Sequence, residues 1–193
     1  AMCAGSSGTR NTAVGALAMP NVTTGQCNVA MSVNSLECLT SGCYNTAIGY
    51  HALNKTATSN SNTSLGFKAG CKNTASSQTS IGAGALEMST SGGCNTAVGV
   101  ESLYKNTTGI KNVGIGVNAG CAGTTSSYNA IVGYQANRLL TTGCYNATLG
   151  YVAAYANTTG EYNTAVGNGA LCSNTDGDNN VAIGRVAGAF TNT

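Results

Sequence analysis

Few side chains in this chain can hold a metal, move a proton or attack a substrate. His51 is the single histidine. One imidazole cannot supply both a catalytic triad and a histidine-based metal set, and its place in a variable stretch reads as a solvated loop residue. Six Asp and Glu are scattered over the chain, and no close pair recurs. Asp176 and Asp178 stand near one another, in a segment that reads as a solvated turn. Gly82-Ala83-Gly84 and Gly114-Ile115-Gly116 resemble fragments of phosphate loops, but no helix is expected after either, and a phosphate loop needs the helix N-terminus. These residues point to a protein without catalytic, metal or cofactor chemistry.

Cysteine is the exception, with nine in the chain. There is no Cys-x-x-Cys spacing for a metal, so the count favours an oxidising, extracellular setting. Three separations are nearly equal: Cys3 to Cys27, Cys71 to Cys94, and Cys121 to Cys144. Cys38 and Cys43 flank a single turn. The expected disulfides are therefore Cys3–Cys27, Cys38–Cys43, Cys71–Cys94 and Cys121–Cys144. Cys172 is left for a neighbouring subunit. Asn-x-Ser/Thr occurs at Asn21, Asn54, Asn62, Asn106, Asn146 and Asn157. Asn106 and Asn157 open Asn-Thr-Thr-Gly turns, which makes them the expected glycosylation sites.

What positions these residues is a tandem repeat. Taking the Asn of Asn-Thr-Ala-Val-Gly as position 1, repeats start at 11, 28, 45, 62, 78, 95, 112, 129, 146, 163 and 180. Every interval is 17 residues except 62 to 78, which is 16. The consensus is NTAVGxxALxxxTTGxY. It runs through 1–193 as one domain: a partial repeat over 1–10, ten repeats over 11–179, and a truncated one over 180–193. The pattern is cut at both ends, as in a processed product or a segment of something longer.

Seventeen residues are too few for the two or three helices of a helical repeat. Fixed Gly, Asn and Thr disfavour helix, while Val, Ile, Thr and Tyr around position 4 favour strand. Thr-Thr-Gly supplies a turn. The sequence therefore predicts an all-β fold, a β-solenoid of about eleven coils stacked ~4.8 Å apart. Asn at position 1 is expected to form an amide ladder. Gly at position 5 suits positive φ or a close backbone approach, and Ala or Ser at position 8 suits a tight corner.

Strand alternation puts positions 17, 2, 4 and 6 on one face and 1, 3 and 5 on the other. No charged residue occupies positions 1 to 5 in any repeat. Whichever face points outward, an uncharged stripe results, and such a stripe suggests contact with another chain. Only 7% of the residues are charged and the net charge is +2, which argues against a nucleic-acid partner. No apolar run is long enough to insert into a membrane as a helix.

The segments NTAIGYHAL (45–53) and SLYKNTTG (102–109) resemble the repeat regions of phage and other viral tail-fibre proteins. More distantly, they are similar to the head repeats of trimeric autotransporter adhesins. The resemblance implies a left-handed β-roll, often trimeric, in an extracellular fibre. The cysteine wealth departs from that pattern and favours a stapled filament subunit. The expected function is structural: a self-associating shaft or filament whose partner is itself, by end-to-end stacking or as a trimer. Adhesion to cell-surface glycans is a further expectation. The alternative is ice binding through the Thr row at position 13, although adjacent positions 13 and 14 do not share a face.

Overall fold

A computed structural model describes residues 7–189, so Cys3 lies outside the described residues. It contains eleven strands of three residues each: β1 Thr12–Val14, β2 Val29–Met31, β3 Thr46–Ile48, β4 Thr63–Leu65, β5 Thr79–Ile81, β6 Thr96–Val98, β7 Val113–Ile115, β8 Ala130–Val132, β9 Ala147–Leu149, β10 Thr164–Val166 and β11 Val181–Ile183. They form one parallel sheet in sequence order, β1 to β11. Each residue pairs with its counterpart one repeat on, as Thr96 with Val113 and Val98 with Ile115. The chain is thus a β-solenoid with one repeat per coil, and coil n is the one that carries strand βn.

The register follows from the repeat. Thr96 N–H donates to Asn112 O at 2.8 Å, and Gly116 N–H donates to Val98 O at 2.8 Å. Position 5 then turns the chain. Gly116 has φ +131°, and a Cβ there would sit 2.4 Å from the carbonyl oxygen of Gly133. Both reasons for glycine hold at once, positive φ and close backbone approach. Ser32 is the non-glycine at this position, with φ +115°.

The strand face bearing Asn, Ala or Ser, and Gly points inward. Ala47, Ala97 and Ala165 at position 3 are fully buried, as are Ala52, Ala119 and Ala170 at position 8. The second half of the core comes from position 9, where Leu53, Leu103 and Leu171 are buried. All three sit in the left-handed region, at φ +48°, +48° and +50°. Burial holds them there although that region is costly for a branched side chain.

Position 1 forms the expected ladder. Asn45 Oδ1 accepts the backbone N–H of Asn62 at 3.1 Å and its side-chain N–H at 3.0 Å. Each position 1 Asn from Asn11 to Asn163 also closes its own coil, as Asn112 Nδ2 does by donating to Ser126 O at 2.7 Å. The ladder breaks at Gln78. Its Nε2 donates to Asn73 Oδ1, Ser89 Oγ and Gly92 O, and its Oε1 has no partner. The break coincides with the 16-residue interval.

Candidate functional site

With the small-residue face inward, the face at positions 2, 4, 6 and 17 looks into solvent. It is a parallel sheet surface, and its central file is aliphatic. Val14, Leu65, Ile115 and Leu149 are between 40% and 57% exposed. Six members of the position 2 file are Thr: Thr12, Thr46, Thr63, Thr79, Thr96 and Thr164. Monomeric proteins rarely leave a continuous apolar patch of this extent uncovered.

Aromatic files flank it. At position 17, Tyr128, Tyr145 and Tyr162 stack with ring centroids 4.9 and 5.0 Å apart and planes within 4°. Lys111 continues the file, its Nζ 5.3 Å from the Tyr128 centroid. At position 6, Tyr134 stacks on Tyr151 at 5.4 Å and Tyr50 on Phe67 at 5.7 Å. In-register coils put identical rings one above another, and offset stacking adds to the apolar burial. The ring faces are used up between coils, so the edges and hydroxyls meet solvent.

The eight described cysteines are free thiols. The expected pairs Cys38–Cys43, Cys71–Cys94 and Cys121–Cys144 are not bonded, and Cys3–Cys27 falls partly outside the described residues. The reason is directional. Cys71 stands among Lys55, Lys68, Lys72 and Glu87, and Cys121 among Glu101, Lys105 and Arg138. All of these groups lie at positions 7, 10 and 11. Cys144 instead accepts from Ser127 N–H at 3.4 Å and donates to Thr142 O at 3.3 Å, beside the Thr-Thr-Gly turn. Positions 10–11 and 16–17 project from different surfaces of the coil. Burial pushes the Cys71 and Cys121 thiols above their ordinary pKa, with Glu87 and Glu101 adding to the rise.

The glycosylation expectation is corrected. Asn106 and Asn157 are buried, and their side-chain N–H groups donate to Gly109 O and Gly160 O at 3.0 and 3.1 Å. Position 12 points into the coil, so a glycan on either amide is incompatible with the folded state. Of the six sequons, Asn21 alone is exposed. The Thr row at position 13 is also committed internally. Thr90, Thr107, Thr141 and Thr158 each donate a hydroxyl to the next position 13 carbonyl at 2.9 Å.

His51 lies 3.2 Å from Asn34 Nδ2 and edge-on to Tyr50. Asp176 accepts from the Thr175 hydroxyl at 2.9 Å, and Asp178 accepts from Glu161 N–H at 2.7 Å. Asp176 thus serves its own turn, and Asp178 ties its turn to the preceding coil. Among the described residues no three metal-ligating side chains gather. A depression of about 120 Å³ is lined by Lys105, Cys121, Ala122, Arg138 and Leu139, well below the ~300–1,000 Å³ of small-molecule sites.

Comparison with known protein families, curated proteins and solved structures gave no match.

Proposed function

We propose that this protein is a non-enzymatic structural fibre protein, a self-associating β-solenoid shaft or filament subunit of an extracellular appendage or viral fibre. The observation that carries the reading is the outward face of the sheet, aliphatic along position 4 and without a charge at positions 2 and 4. Eleven strands of three residues at ~4.8 Å spacing and ~3.3 Å per residue give roughly 500 Å² of strand surface on one copy, and the aromatic files at positions 6 and 17 extend it toward the ~800 Å² per partner of a standard stable interface. Its occupant is a second copy. A surface that repeats at every coil is matched in spacing by another in-register coil, and neither side carries a charge at positions 1 to 5 to desolvate.

Sedimentation velocity of the reduced protein over a concentration series tests this. The expected result is reversible growth beyond the monomer. Val98→Lys with Ile115→Lys is expected to give a monomer with unchanged circular dichroism, because both side chains already face solvent. A wild-type protein that stays monomeric at its highest soluble concentration overturns the proposal.

One observation favours a second reading, ice binding: the position 2 threonines share their outward face with the position 4 aliphatics, on a regular lattice. The flanking tyrosines at positions 6 and 17 stand against it, since they rise beside the floor of the face. Inhibition of ice recrystallisation at micromolar protein would decide for it.

A further inference from the structure

The described thiols form two files on different surfaces. One follows the position 10–11 turn: Cys38 in coil 2, Cys71 in coil 4, Cys121 in coil 7 and Cys172 in coil 10. The other follows positions 16–17: Cys27 in coil 1, Cys43 in coil 2, Cys94 in coil 5 and Cys144 in coil 8. None of the eight is fully buried. Within each file a set of three recurs every third coil: Cys71, Cys121 and Cys172 in the first, and Cys43, Cys94 and Cys144 in the second. The in-register sheet makes coil number a ruler along the rod.

Two files of equal period on different surfaces act as a vernier between neighbouring rods. Place the first file of one copy against the second file of a parallel copy. A stagger of two coils, roughly 10 Å, aligns Cys71 with Cys43, Cys121 with Cys94, and Cys172 with Cys144. Among the described thiols, no other stagger of parallel copies aligns three pairs. With no stagger, only Cys38 meets Cys43. A one-coil shift in the opposite sense aligns two pairs, Cys71 with Cys94 and Cys121 with Cys144.

We propose that neighbouring copies lie side by side, parallel and two coils out of step, locked by interchain disulfides Cys71–Cys43, Cys121–Cys94 and Cys172–Cys144. This rests on the self-association reading above and adds to it a second, heterologous contact of fixed register between the two thiol files. A stagger repeated at each contact is heterologous and never returns to its starting height, so the copies build an open array, not a closed ring. Position 17 borders the aliphatic face, so a neighbour seated on the second file also shields the edge of that face. Each bond forms by exchange with a low-molecular-weight disulfide such as oxidised glutathione. One protein thiolate attacks it and expels a glutathione thiolate. The second protein thiolate then attacks the mixed disulfide and expels the other, and the two protein protons pass to the departing thiolates.

The test is to incubate the full chain in a glutathione redox buffer, quench with an alkylating agent, run a non-reducing gel, and map linked peptides by mass spectrometry. The expected result is a ladder of covalent multimers containing the three named pairs. Cys94→Ser is expected to free Cys121 and leave the other two pairs intact. Links at Cys71–Cys94 or Cys38–Cys43, links confined to monomers, or free thiols throughout overturn the register. Sedimentation of the reduced protein separates the two claims. If it associates and the mapped pairs differ, the register fails and self-association stands. If it neither associates nor cross-links, both fail.

Discussion

The side-chain carbonyl of Asn112 accepts two hydrogen bonds from Asn129, one from the backbone N–H at 3.0 Å and one from the side-chain N–H at 3.1 Å. Asn112 in turn donates to Asn95 Oδ1 from its own backbone at 2.8 Å. The ladder is buried, so a missing amide strands partners on both sides. Asn112→Ala is expected to cost about 2–4 kcal/mol, the desolvation penalty of one or two unsatisfied buried groups. Urea denaturation followed by circular dichroism measures it, and a cost below about 0.5 kcal/mol would show that the ladder is incidental to stability.

Position 5 allows two substitutions of opposite sign. Gly116→Ala places a methyl against the carbonyl oxygen of Gly133, where a Cβ has 2.4 Å. The neighbour is backbone and cannot give way locally, so a loss of several kcal/mol is expected, about 3 or more. Ser32 already occupies the glycine conformation at φ +115°. Ser32→Gly relieves that strain and is expected to raise stability by about 1 kcal/mol. Thermal melts of the two variants should move in opposite directions. A stabilised Gly116→Ala would contradict the close approach of the coils.

Coil 4 is the expected point of local opening. Its position 9 is Gly70 instead of Leu, its position 3 is Ser64, and Gln78 follows it in place of the ladder Asn. The buried apolar clusters reflect this: one ends at Leu53 and the next begins at Ala85. The Ser64 and Ser80 hydroxyls bond each other at 2.5 Å across the gap. Regions poor in buried apolar contact open at lower free energy. In hydrogen exchange, backbone amides of β4 and β5 are expected to exchange before those of β6 to β10. Uniform protection from β2 to β10 would refute the weak joint.

Much of this architecture is readable from residue periodicity. The 17-residue spacing rules out helix pairs, and the Asn and Gly columns name their own roles, because an amide ladder and a positive-φ turn each admit few residue types. The direction of the strand is not readable. Neither face carries a charge at positions 1 to 5, and convention would put the aliphatic file of Val14 to Ile183 inside. The coil decides otherwise, because its interior at position 3 takes Ala, Ser or Gly in nine of eleven coils, with buried Ile131 and Thr148 as the exceptions, and Leu from position 9 fills much of the remaining space. Leu53 in a left-handed conformation runs against its own preference, so local propensity could not announce it. Only the recurrence of Ala-Leu at positions 8 and 9 hinted at it. The inward turn of Asn106 and Asn157 was hidden for the same reason: a sequon marks a residue type, not a direction.

The thiols of Cys71 and Cys121 should be slow nucleophiles in the folded protein. Burial is the main cause of their raised pKa, and the carboxylates of Glu87 and Glu101 reinforce it, against the weaker opposing pull of nearby cations. A raised pKa means less thiolate at any given pH, and the thiolate is the reacting form. Alkylation by iodoacetamide at mildly alkaline pH is expected to be several-fold slower for these two residues in the native protein than in urea. Glu87→Gln should speed Cys71 and leave Cys121 unchanged. The linked effect on stability has a definite sign. The folded state holds these protons more tightly, so its advantage is complete below the ordinary thiol pKa of 9.0 and is lost as pH climbs through the raised folded values. The melting temperature should therefore fall on the alkaline side, and by less in Cys71→Ala. Native labelling as fast as in urea would mean that these thiols are open to water, and the burial that raises their pKa would then be wrong.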